Sequence, residues 1–214
     1  MSLDPRQAMD RMYRHQRHIY DLTRKFYLLG RDRVIRRLAL RPGDRVCEVG
    51  CGTARNLIAL ARRHPDVAFY GIDASETMLR TAAAAIARAG LGQRITLRHG
   101  LAEELDPALS FGLDQPFDVI LFAYSLSMMP SWRAAIDRAI ATLRPGGSLA
   151  IVDFWDQGEL PRWCRRVLRS WLALFDVHPR TELLDELHDD RLADVRLSPL
   201  FRGYAAEFRC VKAA

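Results

Sequence analysis

Long hydrophobic runs are missing from this sequence of 214 residues. The longest stretch without a charged residue, 119–132, has 14 residues and is interrupted by serines and a proline, whereas a membrane-spanning helix needs about 20 apolar residues. The sequence therefore predicts no membrane-spanning helix. The first 16 residues also lack the apolar segment of a secretory signal, so we expect a cytoplasmic protein.

Cysteine is scarce as well, with four residues that form no CxxC pair and have no histidines at zinc-binding spacing. This pattern predicts neither a disulfide framework nor a metal site. Cys47 and Cys51 lie where a predicted strand runs into its loop. We expect both to be reduced and to act as small, buried residues.

Lysine is nearly absent, because 30 of the 32 basic residues are arginine. The net charge of +6 comes from the N-terminal segment, where residues 1–41 hold eleven Arg and Lys against four Asp and Glu. A local positive field of this kind suits nucleic acid, an anionic membrane or a small acidic ligand, and composition alone does not choose among them.

Apolar runs rich in β-forming residues alternate with helical patterns from residue 44 onward. The predicted strands are 45–50, 67–73, 95–100, 117–124 and 148–154, followed by an edge pair at 195–200 and 204–212. Helices are predicted at 76–89, 132–143, 161–175 and 181–190, and residues 5–40 read as two helices that break near Gly30. The alternation is typical of a doubly wound, Rossmann-like α/β fold. We predict a single domain, with an N-terminal helical cap at 1–41, a nucleoside-binding core at 42–154, and lid helices with a C-terminal β-hairpin at 155–214.

The first predicted strand ends in a glycine-rich turn, EVGCGTARN at 48–56, that leads into a helix. Such turns bring backbone N–H groups close to a ligand at the carboxyl edge of a parallel sheet. A dinucleotide site would place its third glycine where Arg55 stands, and Glu48 would repel a pyrophosphate, so the pattern disfavours NAD. Asp73 ends the second strand, 21 residues after Gly52, where a carboxylate accepts hydrogen bonds from ribose hydroxyls. The sequence thus predicts a nucleoside ligand without phosphates, with Glu48 near its positive charge.

The same residues resemble the class I S-adenosylmethionine-dependent methyltransferases. The glycine turn is similar to their first motif, and similar segments follow in family order at 71–75 (GIDAS), 99–103 (HGLAE), 117–120 (FDVI) and 143–147 (LRPGG). The resemblance implies S-adenosylmethionine as methyl donor, S-adenosylhomocysteine as product and no metal. It also implies a seven-stranded, mostly parallel sheet in the order 3-2-1-4-5-7-6 with helices on both faces.

The resemblance also assigns donor contacts to the matching positions of this chain. These residues are Glu48, Gly50, Gly52, Thr53, Asn56, Asp73, Ala74, Met78, Gly100, Leu101, Ala102 and Tyr124. Two positions depart from the family pattern: Ala54 replaces a frequent third glycine, and Leu101 stands where an aspartate commonly meets the adenine amino group. We therefore expect backbone contacts to the adenine at Leu101.

The N-terminal segment 13–32 is dense in Tyr, His and Arg, and with residues 175–180 (FDVHPR) it resembles the betaine-lipid N-methyltransferases. This likeness implies a lipid head-group amine as acceptor, converting diacylglyceryl homoserine to its trimethylated form. The alternatives are phosphatidylethanolamine, a soluble small amine, a quinone, or a nucleoside-binding module without catalytic activity.

Aromatic and basic side chains supply the predicted acceptor site. Tyr20, Tyr27 and Tyr124 are predicted to surround the amine at the catalytic site, since cation–π attraction persists in a quaternary product. The alternative is that the first two, with Tyr13, dock the N-terminal helix on the domain. Substrate binding is assigned to Arg24, Arg31 and His178. Arginine suits the carboxylate of the homoserine head group.

A second basic segment, 161–175, carries Trp163, Val167, Trp171 and Leu174 on one helical face. A basic amphipathic helix with tryptophans is typical of contact with a membrane surface, and the alternative is an apolar stripe that packs on the sheet or pocket. We expect reversible association with the anionic inner face of the cell membrane. The Asn/Asp-Pro-Pro-aromatic signature of nucleic-acid methyltransferases is absent, so we expect no nucleic acid partner, and no feature indicates an oligomeric state.

Overall fold

A seven-stranded sheet organises the computed structural model, which describes residues 28–175 and 177–214. The strands are β1 (Arg45–Val49), β2 (Ala68–Asp73), β3 (Ile95–His99), β4 (Phe117–Ala123), β5 (Leu143–Phe154), β6 (Leu192–Leu200) and β7 (Ala205–Lys212). Their order is β3-β2-β1-β4-β5-β7-β6. β1 to β5 are parallel, and β7 is antiparallel to both of its neighbours. The predicted Rossmann-like fold and strand order are confirmed.

Helices cover both faces of the sheet. In the described part of the chain they are α1 (Arg31–Arg36), α2 (Arg55–Arg63), α3 (Glu76–Arg88), α4 (Pro107–Phe111), α5 (Trp132–Thr142), α6 (Arg162–Ala173) and α7 (Leu183–Leu187), with 3₁₀ turns at Ala102–Glu104 and Leu126–Met128. One apolar cluster packs α1, α2, α3 and α6 on one face, and a second packs α5 and α7 on the other. None of these helices is long and apolar enough to cross a bilayer.

A helix begins directly after Gly30, near which the sequence predicts a break between two helices. α1 begins directly after Gly30, whose φ of 83° lies in the left-handed region that favours glycine. A Cβ at this position would lie 2.6 Å from Cδ1 of Leu200, so the close approach also requires glycine. The helix predicted ahead of Gly30 lies outside the described residues.

β4 is the central strand, and all seven of its residues are buried. Val119 and Leu121 join one apolar cluster, whereas Ile120 and Phe122 join the other. A strand covered by helices on both faces buries both sets of alternating side chains, which explains the continuous VILFA run.

Two strands begin earlier than the sequence predicts. β5 starts at Leu143 rather than at residue 148, because Leu143 pairs with Phe117 before a register irregularity that ends at Val119. The Pro-Gly-Gly segment at 145–147, expected to be a turn into the strand, lies within this irregular part. β6 starts at Leu192 rather than at 195, because its pairing with β7 continues past a bulge.

Helix α1 is held on the sheet by the guanidinium of Arg209 in β7. Its Nη1 donates to the Arg37 carbonyl at 2.7 Å and its Nη2 to the Val34 carbonyl at 3.4 Å, which satisfies carbonyls at the C-terminal end of the helix. Its Nε donates to the carboxylate of Glu207, whose side chain is only 4% exposed. The buried carboxylate therefore depends on Arg209 for charge compensation.

Replacing Arg209 with alanine is expected to lower the free energy of unfolding by about 3 kcal/mol, because the Glu207 carboxylate would stay buried without its cation. Adding Glu207→Gln should recover part of the loss, since a neutral amide costs less to bury than a charge. Urea denaturation measures both effects. Arg196→Ala is the matched control, because Arg196 is exposed and pairs with Arg209 across the strands. Equal losses in the two single variants would contradict the argument.

Candidate functional site

The turn after β1 places backbone N–H groups at the carboxyl edge of the sheet. Gly50, Gly52 and Ala54 have φ angles of 73°, 54° and 57°, so the chain adopts the left-handed region three times within five residues. A Cβ on Gly50 would lie 2.5 Å from the Cβ of Ser125, so the turn contacts the segment after β4 directly. Ala54 stands where the family often has glycine. It adopts the left-handed conformation although it carries a Cβ, which makes that conformation less favourable.

Asp73 joins the end of β2 to this turn. Its Oδ2 accepts the N–H of Gly52 at 2.7 Å, and its Oδ1 accepts the N–H of Ser75 at 2.9 Å. Ser75 then caps α3 by accepting the N–H of Met78, and the carbonyl of Ala74 lies 3.0 Å from Nε2 of His99. The structure thus brings together the two glycines, Asp73, Ala74 and Met78, all predicted to contact the donor.

Glu48 and Asn56 form a buried pair beneath the turn. Nδ2 of Asn56 donates to Oε1 of Glu48 at 2.5 Å. Asn56 is 5% exposed and Glu48 is 1% exposed. The pair connects the end of β1 to the first turn of α2, and Thr53 is partly exposed between them. Contact of Glu48 with a positive ligand stays a prediction.

The segment after β3 forms the next part of the edge. The N–H of Gly100 donates to the carbonyl of Asp73 at 3.1 Å, and the N–H of Leu101 donates to Oε2 of Glu104 at 3.3 Å. Ala102 is buried and starts a 3₁₀ turn. The predicted adenine-binding residues therefore lie beside Asp73, and backbone contact of Leu101 with the adenine stays a prediction.

Tyr124 follows β4 with a φ of 58°, which is uncommon for a bulky residue. Its side chain is buried, its hydroxyl donates to the carbonyl of Leu29, and its ring lies edge-on to Phe154 with 4.8 Å between centroids. Burial raises the pKa of this phenol well above its usual range, and the positive charge of Arg31 opposes part of that rise. Tyr124 therefore fastens the segment before α1 to the end of β4.

The predicted acceptor residues are only partly described. Tyr20, Tyr27 and Arg24 lie outside the described residues. Arg31 is half-buried near Tyr124, and His178 is exposed, with its backbone N–H donating to the carbonyl of Ser127 at 2.8 Å. Both residues therefore reach the end of β4 from distant parts of the chain.

Asp153 and Arg180 position the segment after β4, and the sequence assigned neither of them a binding role. Oδ2 of Asp153 accepts the N–H of Ser127 at 3.1 Å, and Nη2 of Arg180 donates to the carbonyl of Met129 at 2.8 Å. Arg180 also lies over the ring of Trp132, at 5.8 Å from its centroid. A single acid at the end of the apolar AIVDF run was the one available sequence signal for Asp153.

A salt bridge connects α1 to the donor side of the site. Nη1 and Nη2 of Arg55 lie 2.6 and 3.2 Å from the two carboxylate oxygens of Asp32. The hydrogen bonds and positive charge of Arg55 lower the pKa of Asp32. Arg55, which argues against a dinucleotide site in the sequence, thus binds the start of α1.

Cys47 and Cys51 lie beneath the same turn. Both thiols are free and buried, and burial raises their pKa values well above the usual range. They serve as small packing residues, as the sequence predicts: Sγ of Cys51 would lie 2.8 Å from a Cβ at Gly71.

Comparisons with known proteins agree with this geometry. Residues 46–147 match the family model described as "Methyltransferase domain". The chain is 36% identical over 123 residues to 27-O-demethylrifamycin SV methyltransferase of Amycolatopsis mediterranei, a match that covers 58% of this chain and 43% of that relative. It is 27% identical over 202 residues to demethylmenaquinone methyltransferase of Geobacillus kaustophilus, covering 84% of each. The structure of the mitomycin 7-O-methyltransferase MmcR superposes with a TM-score of 0.69 at 16% identity, covering 94% of this chain and 60% of that one, which shows a shared fold.

The buried carboxyl of Asp153 predicts a pH dependence of stability. Burial raises its pKa from the ordinary 3.8 to about 6, so the folded protein holds this proton more tightly than the unfolded chain does. The stability that this group contributes is complete below pH 3.8 and is lost as pH rises through about 6, a change of about 3 kcal/mol. Asp153→Asn lacks this titration. The difference in unfolding free energy between the variant and the wild type should therefore move by about 3 kcal/mol in favour of Asn between pH 4 and pH 7. Urea denaturation at several pH values measures it, and a constant difference would show that Asp153 does not titrate in this range.

Proposed function

Because residues 46–147 form a class I S-adenosylmethionine-dependent methyltransferase domain, as the sequence predicts, we propose that this chain transfers a methyl group from S-adenosylmethionine to a small acceptor. The observation that carries the proposal is the convergence of the glycine turn and the Asp73 carboxylate at the carboxyl edge. S-adenosylmethionine supplies an electrophilic methyl group when it is bound. The chain itself has to bind the nucleoside, align the acceptor and exclude water.

The residues at the edge fit a nucleoside without phosphates. A carboxylate has about four acceptor sites, so Asp73 can receive ribose hydroxyls besides the two backbone N–H groups that orient it. Gly50 and Gly52 remove side chains from the surface above the turn. Buried Glu48 and Asp73 provide negative charge, which favours a sulfonium and disfavours a pyrophosphate.

The acceptor is proposed to be a hydroxyl compound of low pKa, such as a phenol, an enol or a reduced quinone. The segment that leads from β4 to the acceptor side is buried and mostly apolar, with Leu126 and Met128 in its 3₁₀ turn. Arg31 provides positive charge at Tyr124, where its effect opposes that of the buried carboxyl of Asp153. A cation lowers the pKa of a nearby hydroxyl and disfavours an ammonium, so this surrounding suits an oxygen nucleophile better than an amine. Relatives named for O-methylation point to an oxygen acceptor, and a relative named for demethylmenaquinone points to a reduced quinone, which would receive its methyl group on a ring carbon.

The lipid amine is the second candidate. The relatives reported above are not named for lipid amines, so the betaine-lipid likeness stays a hypothesis that rests on the N-terminal segment and on Arg31. Arg31 suits the carboxylate of diacylglyceryl homoserine, because a guanidinium binds a carboxylate through two parallel hydrogen bonds.

Donor binding has a direct test in Asp73→Ala. We expect its affinity for S-adenosylmethionine and S-adenosylhomocysteine to fall by about 1.5 to 3 kcal/mol, the cost of losing hydrogen bonds to a charged group. Isothermal titration calorimetry on folded protein measures it. Asp66→Ala is the matched control, because this aspartate is exposed at the start of β2. Unchanged affinity in Asp73→Ala would remove the assignment of the ribose site.

Acceptor chemistry is tested by competition among three substrates: a demethylnaphthoquinol, a simple phenol, and diacylglyceryl homoserine in mixed micelles. We expect S-adenosylhomocysteine to form and a methyl group to appear in the mass spectrum of a hydroxyl compound. The rate should rise with pH as the hydroxyl ionises, and Arg31→Gln should shift that rise to higher pH. Methylation of the lipid amine alone would replace the hydroxyl proposal with the second candidate.

A further inference from the structure

Exposed apolar side chains are concentrated at the carboxyl edge of the sheet. Among the described residues, six large apolar side chains are exposed: Leu29, Leu109, Trp163, Val167, Leu174 and Phe201. Leu29 is bound to the end of β4 through Tyr124, and Phe201 lies in the turn before β7, whose first residue pairs with the last residue of β5. Trp163, Val167 and Leu174 belong to α6 and its C-terminal cap. Only Leu109, on α4, belongs to an element away from this edge.

Helix α6 lies at the edge, because it is fastened there from its second half and from the segment that follows it. Nη2 of Arg169, in the second half of α6, donates to the carbonyl of Asp156 at 3.2 Å, in the loop that follows β5. After its end, the N–H of His178 donates to the carbonyl of Ser127, in the segment that follows β4. The N–H of Gln157 donates to the carbonyl of Gly203 at 2.8 Å, which ties the same loop to the turn that holds Phe201. These elements therefore form one continuous surface.

α6 has two apolar faces. Leu172 is 1% exposed and packs in the core, with Leu168 and Trp171 partly buried beside it. Trp163 and Val167, four residues apart on another face, are 70% and 63% exposed. The alternative in which the apolar stripe packs on the sheet is therefore wrong for Val167 and Leu174. The Leu168 and Leu172 side chains pack against the core instead, and this leaves the stripe of Trp163 and Val167 exposed.

Exposed arginines lie beside the exposed stripe. They are Arg162 and Arg166 on α6, and Arg202 next to Phe201, against the acidic residues Asp156 and Glu159. We call these arginines, together with the five exposed apolar residues Leu29, Trp163, Val167, Leu174 and Phe201, the carboxyl-edge rim. An apolar stripe flanked by positive charge is complementary to the interface of an anionic bilayer, where apolar side chains insert and arginines stay at the phosphate level.

We propose that the carboxyl-edge rim docks the protein on an anionic lipid surface and so opens the acceptor side of the site toward the bilayer. The inference rests on the proposed function only for its purpose, which is access to an acceptor of low water solubility. A second copy of the chain is a poor occupant, because two positively charged rims repel each other. A nucleic acid would use the arginines but not the Val167 and Leu174 side chains.

Vesicle co-sedimentation tests the docking surface. The wild-type chain should bind phosphatidylcholine vesicles that contain phosphatidylglycerol far better than pure phosphatidylcholine. Binding should weaken strongly from about 0.1 M to about 1 M salt, as the screening length falls from about 10 Å to about 3 Å. Arg162→Glu with Arg166→Glu should lower the partition coefficient by about 25-fold or more, since each arginine near such a surface contributes about a factor of five. Trp163→Ser with Val167→Ser should lower it by about tenfold, through loss of inserted apolar area.

Two matched controls make the test specific. Arg62→Glu with Arg63→Glu reverses the same charge on exposed residues at the end of α2, and Leu109→Ser removes an exposed leucine outside the rim. Both should bind vesicles as the wild type does. Equal binding to neutral and anionic vesicles, an equal loss in the control variants, or stronger binding to a DNA duplex than to vesicles would each overturn the proposal. Calorimetry with S-adenosylmethionine on the rim variants should give wild-type affinity, so a failure of docking is distinguished from a failure of donor binding.

Discussion

The donor side of the site depends on one hydrogen bond, from the backbone N–H of Gly52 to the carboxylate of Asp73. It joins the turn after β1 to the end of β2, and it forms only if the turn adopts left-handed backbone angles at Gly50 and Gly52. Those angles bring the turn so close to Ser125 that a Cβ on Gly50 would overlap it. The position of the segment after β4 is therefore constrained by the same turn that is proposed to bind the nucleoside.

The acceptor side is built from contacts between residues far apart in the chain. Asp153 holds Ser127, His178 binds the carbonyl of the same serine, and Tyr124 binds Leu29 before α1. Each contact joins a different segment to the end of β4. Burial of Asp153 costs stability at neutral pH, and its hydrogen bond from the N–H of Ser127 fixes the orientation of the segment after β4.

The local features of the fold were predictable, and the long-range ones were not. Alternation and the glycine turn identified the parallel strands, because both are short-range patterns, and the strand order was implied by the resemblance to the class I methyltransferases. The early start of β5 depends on pairing with Phe117, and the support of α1 depends on Arg209, which is 172 residues from Arg37. Nothing in one segment indicates such partners. The sequence left exposure and burial of Val167 both open, because α6 has enough apolar residues for two faces and only packing decides which is buried.

Positive charge connects the two proposals, and its two parts respond differently to salt. The rim arginines are exposed, so their attraction to anionic lipid acts within about 10 Å and fades as salt is added. Arg31 is half-buried beside Tyr124, where a lower dielectric and the absence of mobile ions preserve its effect on a neighbouring hydroxyl. High salt should therefore separate the functions: the protein leaves the membrane, while the ionisation of a bound acceptor stays nearly the same. An acceptor presented in solution would then be methylated with the same pH dependence at low and at high salt, and only the lipid-embedded acceptor would lose its rate.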